Sequence, residues 1–273
     1  MHNTGLCSMS MLLSTMENDV LRYRSVLTYN REVFLLEHGM LVKAFDAIDK
    51  NYGGLIEPLR TMRDRSGRSY ISLIPFVLLL QRQSRAAFES FAAYQPYHGW
   101  LLLRPGIESV LIVGKWVDDP ANAKIWENRE KDRKSYRNAY TGPNLQSKSL
   151  TSSEGIRGVL SKVNDDFVHP NPDYYSRHLK MEQPDEKFME FRLDYFDDGD
   201  VVKAHVLSFL HLLLVMQVAL AGLIGGVFES PVVLTALLST FDKTFGETIR
   251  TLASKSMEMA AIFEKLGLIA SRP

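Results

Sequence analysis

A long uncharged stretch, Val206–Phe228, limits what the whole molecule can fold into. It holds 23 residues without an Asp, Glu, Lys or Arg, which is long enough for a helix to cross a bilayer. However, the polar residues Ser208, His211 and Gln217 lie inside it. Membrane spans are commonly flanked by clusters of basic residues, and no such cluster flanks this stretch. A helix that is apolar on every side is also what the centre of a large helical bundle needs. We therefore expect a central core helix, with a membrane span as the alternative.

Apolar residues at helical spacing occupy most of the remaining chain. Two long stretches, about 69–94 and 100–119, and the C-terminal region all predict helices. In contrast, the segment KFMEFRLDYF alternates apolar and polar residues and precedes the turn sequence DDGD, so a small β-hairpin is expected at about 185–203. The sequence thus predicts an all-α multi-helix bundle with a small β-hairpin insertion. We expect a single domain over residues 14–273, after a flexible segment at 1–13.

Glycine and proline residues mark the expected helix boundaries. In the first helical region Gly39 is a candidate break, and Tyr52–Gly54 is the expected end. Pro75 should either kink its helix or mark a late start, because proline lacks the backbone donor that the helix interior needs. Pro105 should likewise kink its helix or occupy the first helical position.

Composition limits the compartment and the class of partner. Lys plus Arg equals Asp plus Glu at 32 each, so a surface devoted wholly to nucleic acid or to an anionic membrane is not expected, although a local patch is compatible. Cys7 is the single cysteine, which excludes a disulfide framework and fits the reducing cytosol. The N-terminus lacks the basic and apolar regions of a signal peptide. We expect a cytoplasmic protein that is not bound to a membrane.

Arg104 and Glu108 form the first candidate site. They are four residues apart in an apolar helical stretch, so they share one helical face and can pair. A lone charge would be costly in such surroundings, which predicts that the two are paired. The pair either fixes the helix register or holds a guanidinium that faces a phosphate or another polar partner.

His169 forms the second candidate site, at the end of a helix that Ser152 or Ser153 is expected to cap. A histidine titrates near neutral pH and is the commonest general acid or base. It either acts in that way or bonds a carbonyl and anchors the loop that follows. Asn171, two residues further on, is a candidate ligand contact.

An arginine-rich turn around Gly67 forms a third candidate site. Arg63, Arg65 and Arg68 lie within six residues and could contact phosphates. A later basic run, at 129–137, includes acidic residues and is interpreted as a solvated helix face.

Most familiar enzyme classes lack support in this sequence. It contains no GxGxxG, P-loop or GxSxG motif and no histidine pattern that suits a metal. We therefore expect no metal and no cofactor.

Two segments resemble a known family. LLLRPGIESVLIVGKWVDDP resembles the arginine-x3-glutamate helix, and VNDDFVHPNPDYY the valine-histidine-proline turn, of a widespread bacterial family of uncharacterised helical proteins. That family is similar to the HEPN superfamily of helical bundles, many of which bind or cleave RNA in toxin–antitoxin and phage-defence systems, usually as dimers. The resemblance implies an RNA-related bundle in which Arg104, Glu108 and His169 match the family's polar positions. Asn164 or Asp165 stands nearest to where the family has a serine.

Arg31 and His38 are a further candidate pair. HEPN ribonucleases carry an arginine and, four to six residues later on the same helix, a histidine. In this chain the two residues are seven apart, two helical turns along one face. A charged helix face is usually only solvated, so the pair is the weaker candidate.

The expected function is a HEPN-like protein that binds RNA or a nucleotide, as a homodimer, and cleaves RNA without a metal. In that mechanism His169 is the general acid and base, and Arg104, held by Glu108, stabilises the pentavalent phosphate. Two alternatives stay open. One is a non-enzymatic interaction protein whose Arg/Glu/His cluster is structural, and the other is a membrane-associated helical protein built around Val206–Phe228.

Overall fold

The structure is a computed structural model that describes residues 19–63, 67, 69–168, 172, 179–185, 188–193, 196–224, 230–266 and 268–269. Within these ranges the chain forms ten α-helices, which confirms the predicted all-α class. The helices are α1 (Asp19–Glu37), α2 (Gly39–Leu59), α3 (Ile74–Ala92), α4 (Pro96–Asp118), α5 (Ala121–Glu127), α6 (Arg133–Tyr140), α7 (Ser153–Val163), α8 (Gly199–Ile224), α9 (Ser230–Lys255) and α10 (Met257–Lys265).

Helix α8 lies at the centre of the bundle. It packs against α2, α3, α4, α9 and α10, and most of its side chains are buried. Its polar Gln217 is fully buried, yet its Nε2 donates to the carbonyl of Ile48 at 2.9 Å and its Oε1 accepts from Asn51 Nδ2 at 3.5 Å. Because a buried amide is costly unless it is bonded, these contacts fix the register of α8 against α2.

The length and composition of α8 would also suit a membrane span. Its most apolar window has a mean hydropathy of 2.2, and 72% of that window is buried inside the protein. The core helix of a bundle has the same length and composition, and here other helices cover most of the window. The last residues of the uncharged stretch, 225–228, lie outside the described residues.

Helices α3 and α4 form an antiparallel hairpin that carries the first candidate site. A tight turn joins them at Tyr94, whose φ of 63° lies in the left-handed region. Glycines allow the two helices to approach closely. A Cβ on Gly99 would lie 2.8 Å from Cζ of Phe91, and one on Gly106 would lie 3.1 Å from Cδ1 of Leu80. This packing fixes the part of α4 that lies between the two glycines.

Helix α7 runs antiparallel to α4 on another side of that helix. The loop before α7 is tied to the end of α4, because the Asp118 carboxylate accepts from the backbone N–H groups of Lys148 at 2.7 Å and Ser149 at 2.8 Å. The helix then passes along α4 and ends in a five-residue π turn, Asn164–Val168. The chain therefore reaches the site of Arg104 just before residue 169.

The first helical region breaks where Gly39 predicts, since α1 ends at Glu37 and α2 begins at Gly39. The predicted end at Tyr52–Gly54 is wrong, because α2 continues to Leu59. Tyr52, Leu55 and Leu59 are all buried. Their burial outweighs the helical cost of the glycines, about 1 kcal/mol each relative to alanine.

The two prolines behave differently. Pro75 lies in the first turn of α3, which begins at Ile74, so the predicted late start is confirmed. Pro105 lies in the interior of α4, which begins at Pro96, so the prediction of a first helical position is wrong. The ring removes the hydrogen bond to the carbonyl of Leu101, and the close packing of α4 against α3 offsets that loss.

Two extended segments follow the π turn. Strands β1 (Leu179–Asp185) and β2 (Phe188–Leu193) pair antiparallel, with Leu179 opposite Leu193. The range of 185–203 expected for a hairpin is displaced from these strands, because the chain from Gly199 onward belongs to α8. Asp198 accounts for the early helix start, since its Oδ1 accepts from the backbone N–H of Asp200 at 2.8 Å.

Candidate functional site

Arg104 and Glu108 form the predicted ion pair on α4. Arg104 Nη2 lies 2.8 Å from Glu108 Oε1, and the two side chains are 35% and 31% exposed. The pair is thus partly buried, at the edge of the bundle. Burial raises the pKa of Glu108, and the charge of Arg104 opposes that shift. Arg104 therefore favours the ionised form of a carboxyl group whose burial disfavours it.

A third side chain completes the cluster. Arg104 Nε donates to Asn164 Oδ1 at 2.5 Å, across a sequence separation of 60 residues. Asn164 opens the π turn that ends directly before His169. The structure thus brings Asn164, near the start of the second segment of the family resemblance, against Arg104 in the first. Sequence reasoning noted Asn164 only by its place in the turn and missed it as the partner of Arg104.

A buried aromatic group lies one helical turn from Arg104. Trp100 Nε1 donates to His205 Nδ1 at 3.0 Å, and both side chains are buried. The ring of Phe167, in the π turn, stacks on Trp100 with centroids 6.1 Å apart. An indole N–H can only donate, so Nδ1 of His205 carries no proton in this arrangement. This contact anchors the π turn against α4 and α8.

Sequence reasoning also missed the role of His205. The histidines show no spacing that suits a metal, and no other role was predicted for His205. The signal that was available is a histidine in the apolar α8 helix, which needs a polar partner when it is buried. No sequence spacing identifies that partner, because Trp100 lies 105 residues away.

Four of the predicted site residues fall outside the described residues: His169, Asn171, Arg65 and Arg68. Of the arginine-rich turn, Arg63 is described. Its Nη1 donates to the carbonyl of Gly67 at 3.1 Å, and its backbone pairs with Ser69 as an isolated bridge. The guanidinium of Arg63 thus closes its own turn, while its side chain stays exposed.

Arg31 and His38 do not form a pair. Arg31 Nε lies 3.4 Å from Glu89 Oε2, on α3. His38 lies in the junction after the end of α1, and its ring packs edge-on against Phe34 with centroids 4.8 Å apart. Burial lowers the pKa of His38, and the charge of Lys203 lowers it further, against the opposing charges of Glu37 and Asp200. The predicted shared helix face is wrong, because α1 ends before His38.

Within the part of the chain that the structure describes, no group of three or more His, Cys, Asp or Glu side chains could hold a metal ion. The fold and this cluster define the class of protein: an all-α bundle with a partly buried arginine clamped by a carboxylate and an amide. No family model, curated protein or solved structure matches the chain.

Proposed function

We propose that this chain is a HEPN-like helical protein that binds RNA or a nucleotide through Arg104 and cleaves RNA without a metal. The observation that supports the proposal is the partly exposed guanidinium of Arg104, which Glu108 and Asn164 hold beside the turn that leads to residue 169. A functional arginine needs such support, because a site must keep its contacting groups in a fixed geometry.

A phosphate is the ligand that this guanidinium suits. Arginine presents five N–H donors in a planar fork that matches the oxygens of a phosphate. Glu108 contacts Nη2 and Asn164 contacts Nε, and these two contacts do not use all five donors. With 35% of its side chain exposed, Arg104 is accessible to a ligand from solvent.

In the proposed reaction His169 accepts the proton of a ribose 2′-hydroxyl. The 2′-oxygen then attacks the adjacent phosphorus, and the bond from phosphorus to the 5′-oxygen of the next nucleotide breaks. His169 returns a proton to that leaving oxygen. Arg104 bonds the equatorial oxygens as their charge grows, while Asn171, Arg63, Arg65 and Arg68 would contact the substrate on either side.

The alternative is a non-enzymatic interaction protein in which the cluster is structural. One contact favours this alternative. Arg104 joins α4 to the π turn through Asn164, and a purely structural side chain would make the same connection between two elements. In this case the loss of Arg104 lowers stability and leaves RNA binding unchanged.

The decisive experiment measures binding and cleavage of a labelled single-stranded RNA in EDTA. Wild type is compared with His169→Ala, Arg104→Ala and Arg104→Lys. Arg85→Ala is the matched control, because Arg85 forms an equally close carboxylate pair, with Asp49 at 2.7 Å, elsewhere on the surface. The fold of each variant is checked by circular dichroism and thermal denaturation.

The proposal predicts cleavage that is lost in His169→Ala and in Arg104→Ala. It predicts RNA binding at least tenfold weaker in Arg104→Ala, as for the loss of one charge-assisted hydrogen bond of about 1.5–3 kcal/mol. Arg104→Lys should restore part of the binding and little of the cleavage, and Arg85→Ala should match wild type. If folded wild type neither binds nor cleaves RNA, and only the stability of the Arg104 variants changes, the structural alternative is correct.

Three further expectations belong to the same proposal. The family resemblance adds a homodimer, which light scattering would test, and a role in a toxin–antitoxin or phage-defence system, while the composition adds a cytoplasmic location. It also makes the β1–β2 segment an insertion between the turn and the later apolar helices. A membrane-associated protein built around α8 would instead resist carbonate washing and partition into detergent.

A further inference from the structure

A cleft of about 310 Å³ lies between α2 and α9, and none of the residues that line it belongs to the Arg104 cluster. Both helices pack on α8, but they make few contacts with each other. Leu214 of α8 forms the floor of the cleft. The volume falls at the lower end of the range for small-molecule sites, roughly 300–1,000 Å³.

Small side chains explain why the cleft is open. The residues of each wall recur every three or four positions, over 40–48 on α2 and 237–245 on α9, so each helix presents one continuous face. Ala44 and Ala47 on one wall and Thr240 and Thr244 on the other are too short to meet across the gap. A face of this kind, left empty, exposes apolar surface to water at a cost in free energy.

The shape of the cleft suits an alkyl chain. Nine residues of α2 span about 12 Å along the helix axis, at a rise of 1.5 Å per residue. An extended chain advances roughly 1.2 Å per bond, since a three-bond residue spans up to 3.6 Å. The cleft therefore accommodates a chain of about ten carbons.

The charge at the cleft determines the head group. Among the described residues that line it, Lys43 is the one charged side chain, and the lining contains no carboxylate. Lys43 is exposed and forms no ion pair with another described residue. A ligand with an apolar tail and an anionic head would bury the tail between the helices and place the head beside this ammonium group.

We propose that the cleft between α2 and α9 binds a medium-chain carboxylate, with its alkyl chain over Leu214 and its carboxylate paired with Lys43. This site uses none of the residues assigned to RNA, and the proposal is independent of the proposed function.

The test is isothermal titration of the full chain with decanoate, below the concentration at which micelles form, with decanol as the uncharged probe. Ala47→Trp fills the cleft from the α2 wall and Thr240→Phe from the α9 wall. Both positions are exposed, so the larger side chains can be accommodated without repacking the core. Lys43→Gln removes the head-group contact, and Lys50→Gln removes a charge from the same helix outside the lining.

The expected result is one decanoate per chain, with affinity at least tenfold lower in Ala47→Trp and in Thr240→Phe. Lys43→Gln should weaken decanoate by about twofold to fivefold, as for one exposed ion pair, without changing decanol, and Lys50→Gln should match wild type. The proposal is overturned if wild type does not bind decanoate, if neither filled variant loses affinity, or if Lys43→Gln leaves decanoate unchanged. The proposal is also overturned if the wild-type chain is a dimer and Ala47→Trp is a monomer, because the cleft would then be the contact surface for a second copy of the chain.

Discussion

Replacing Arg104 by methionine should destabilise the protein by an amount that depends on pH. Methionine keeps the length and apolar part of the side chain and removes the guanidinium. The variant loses the ion pair with Glu108 and the hydrogen bond to Asn164. The ion pair joins two successive turns in the interior of α4, and the hydrogen bond joins α4 to the π turn. Neither contact is at a helix end that could fray, so their loss should destabilise the folded state as a whole.

The magnitude follows from the exposure of the two contacts. The ion pair is about one third exposed on each side, so we assign it no more than an exposed pair contributes, about 0.2–1 kcal/mol. The bond to Asn164 carries a charged donor, which contributes about 1.5–3 kcal/mol. We expect Arg104→Met to lower the free energy of unfolding by about 2–4 kcal/mol at pH 7.

The pH dependence provides a second, independent signature. Burial raises the pKa of folded Glu108, and the charge of Arg104 opposes that rise, so the pKa rises further in the variant. A carboxyl group whose pKa is higher in the folded state than in the unfolded state stabilises the fold at low pH. That contribution is lost as the pH rises through the folded pKa. The difference between the variant and wild type should therefore be smaller at pH 4 than at pH 7.

Urea denaturation, followed by tryptophan fluorescence at pH 4, 5.5 and 7, measures both effects. Arg85→Met is the control for the pH effect, since it removes a 60% exposed arginine from a different carboxylate, the 17% exposed Asp49, and leaves the pair of Arg104 and Glu108 intact. A loss below about 0.5 kcal/mol at pH 7 would be within the range of ordinary surface substitutions and would refute the assigned contacts. An equal loss at pH 4 and pH 7 would refute the role given to Glu108.

Two further predictions concern the packing around α4. Gly114→Ala should lower the stability measured by thermal denaturation by about 1–3 kcal/mol, because the added Cβ would lie 2.7 Å from Cβ of Ser147. Gly53→Ala is the control for helix propensity. Its Cβ would meet nothing within 4 Å, so this variant should be as stable as wild type or more stable. Trp100→Phe should cost about 1–3 kcal/mol by leaving Nδ1 of buried His205 without the indole donor, and a chemical-denaturation midpoint equal to that of wild type would contradict that hydrogen bond.

Local features of the fold could be predicted from the sequence because their cause is local. The spacing of Arg104 and Glu108 predicted their pairing, since four residues bring side chains together on any helix. Gly39 marked a true break between helices. The end predicted at Tyr52–Gly54 was wrong because the burial of Leu55 and Leu59 comes from tertiary packing, which helix propensity does not contain.

The rest of the candidate site depends on contacts between distant parts of the chain. Asn164 reaches Arg104 across 60 residues, and Trp100 reaches His205 across 105. No periodicity within one element encodes which partner another element supplies. Sequence reasoning could require a partner for a buried histidine or arginine, but it could not name the residue that provides it.

A π turn holds one more residue than the α-helical turn it replaces, so Asn164–Val168 carries the equivalent of a single-residue insertion. Deleting one residue here would let α7 continue as a regular helix. Everything that follows would rotate by about 100° and shift by about 1.5 Å along the helix axis. Phe167 would then leave the face of Trp100. A single-codon deletion, which surface loops generally accept, should be more damaging in this segment than most substitutions.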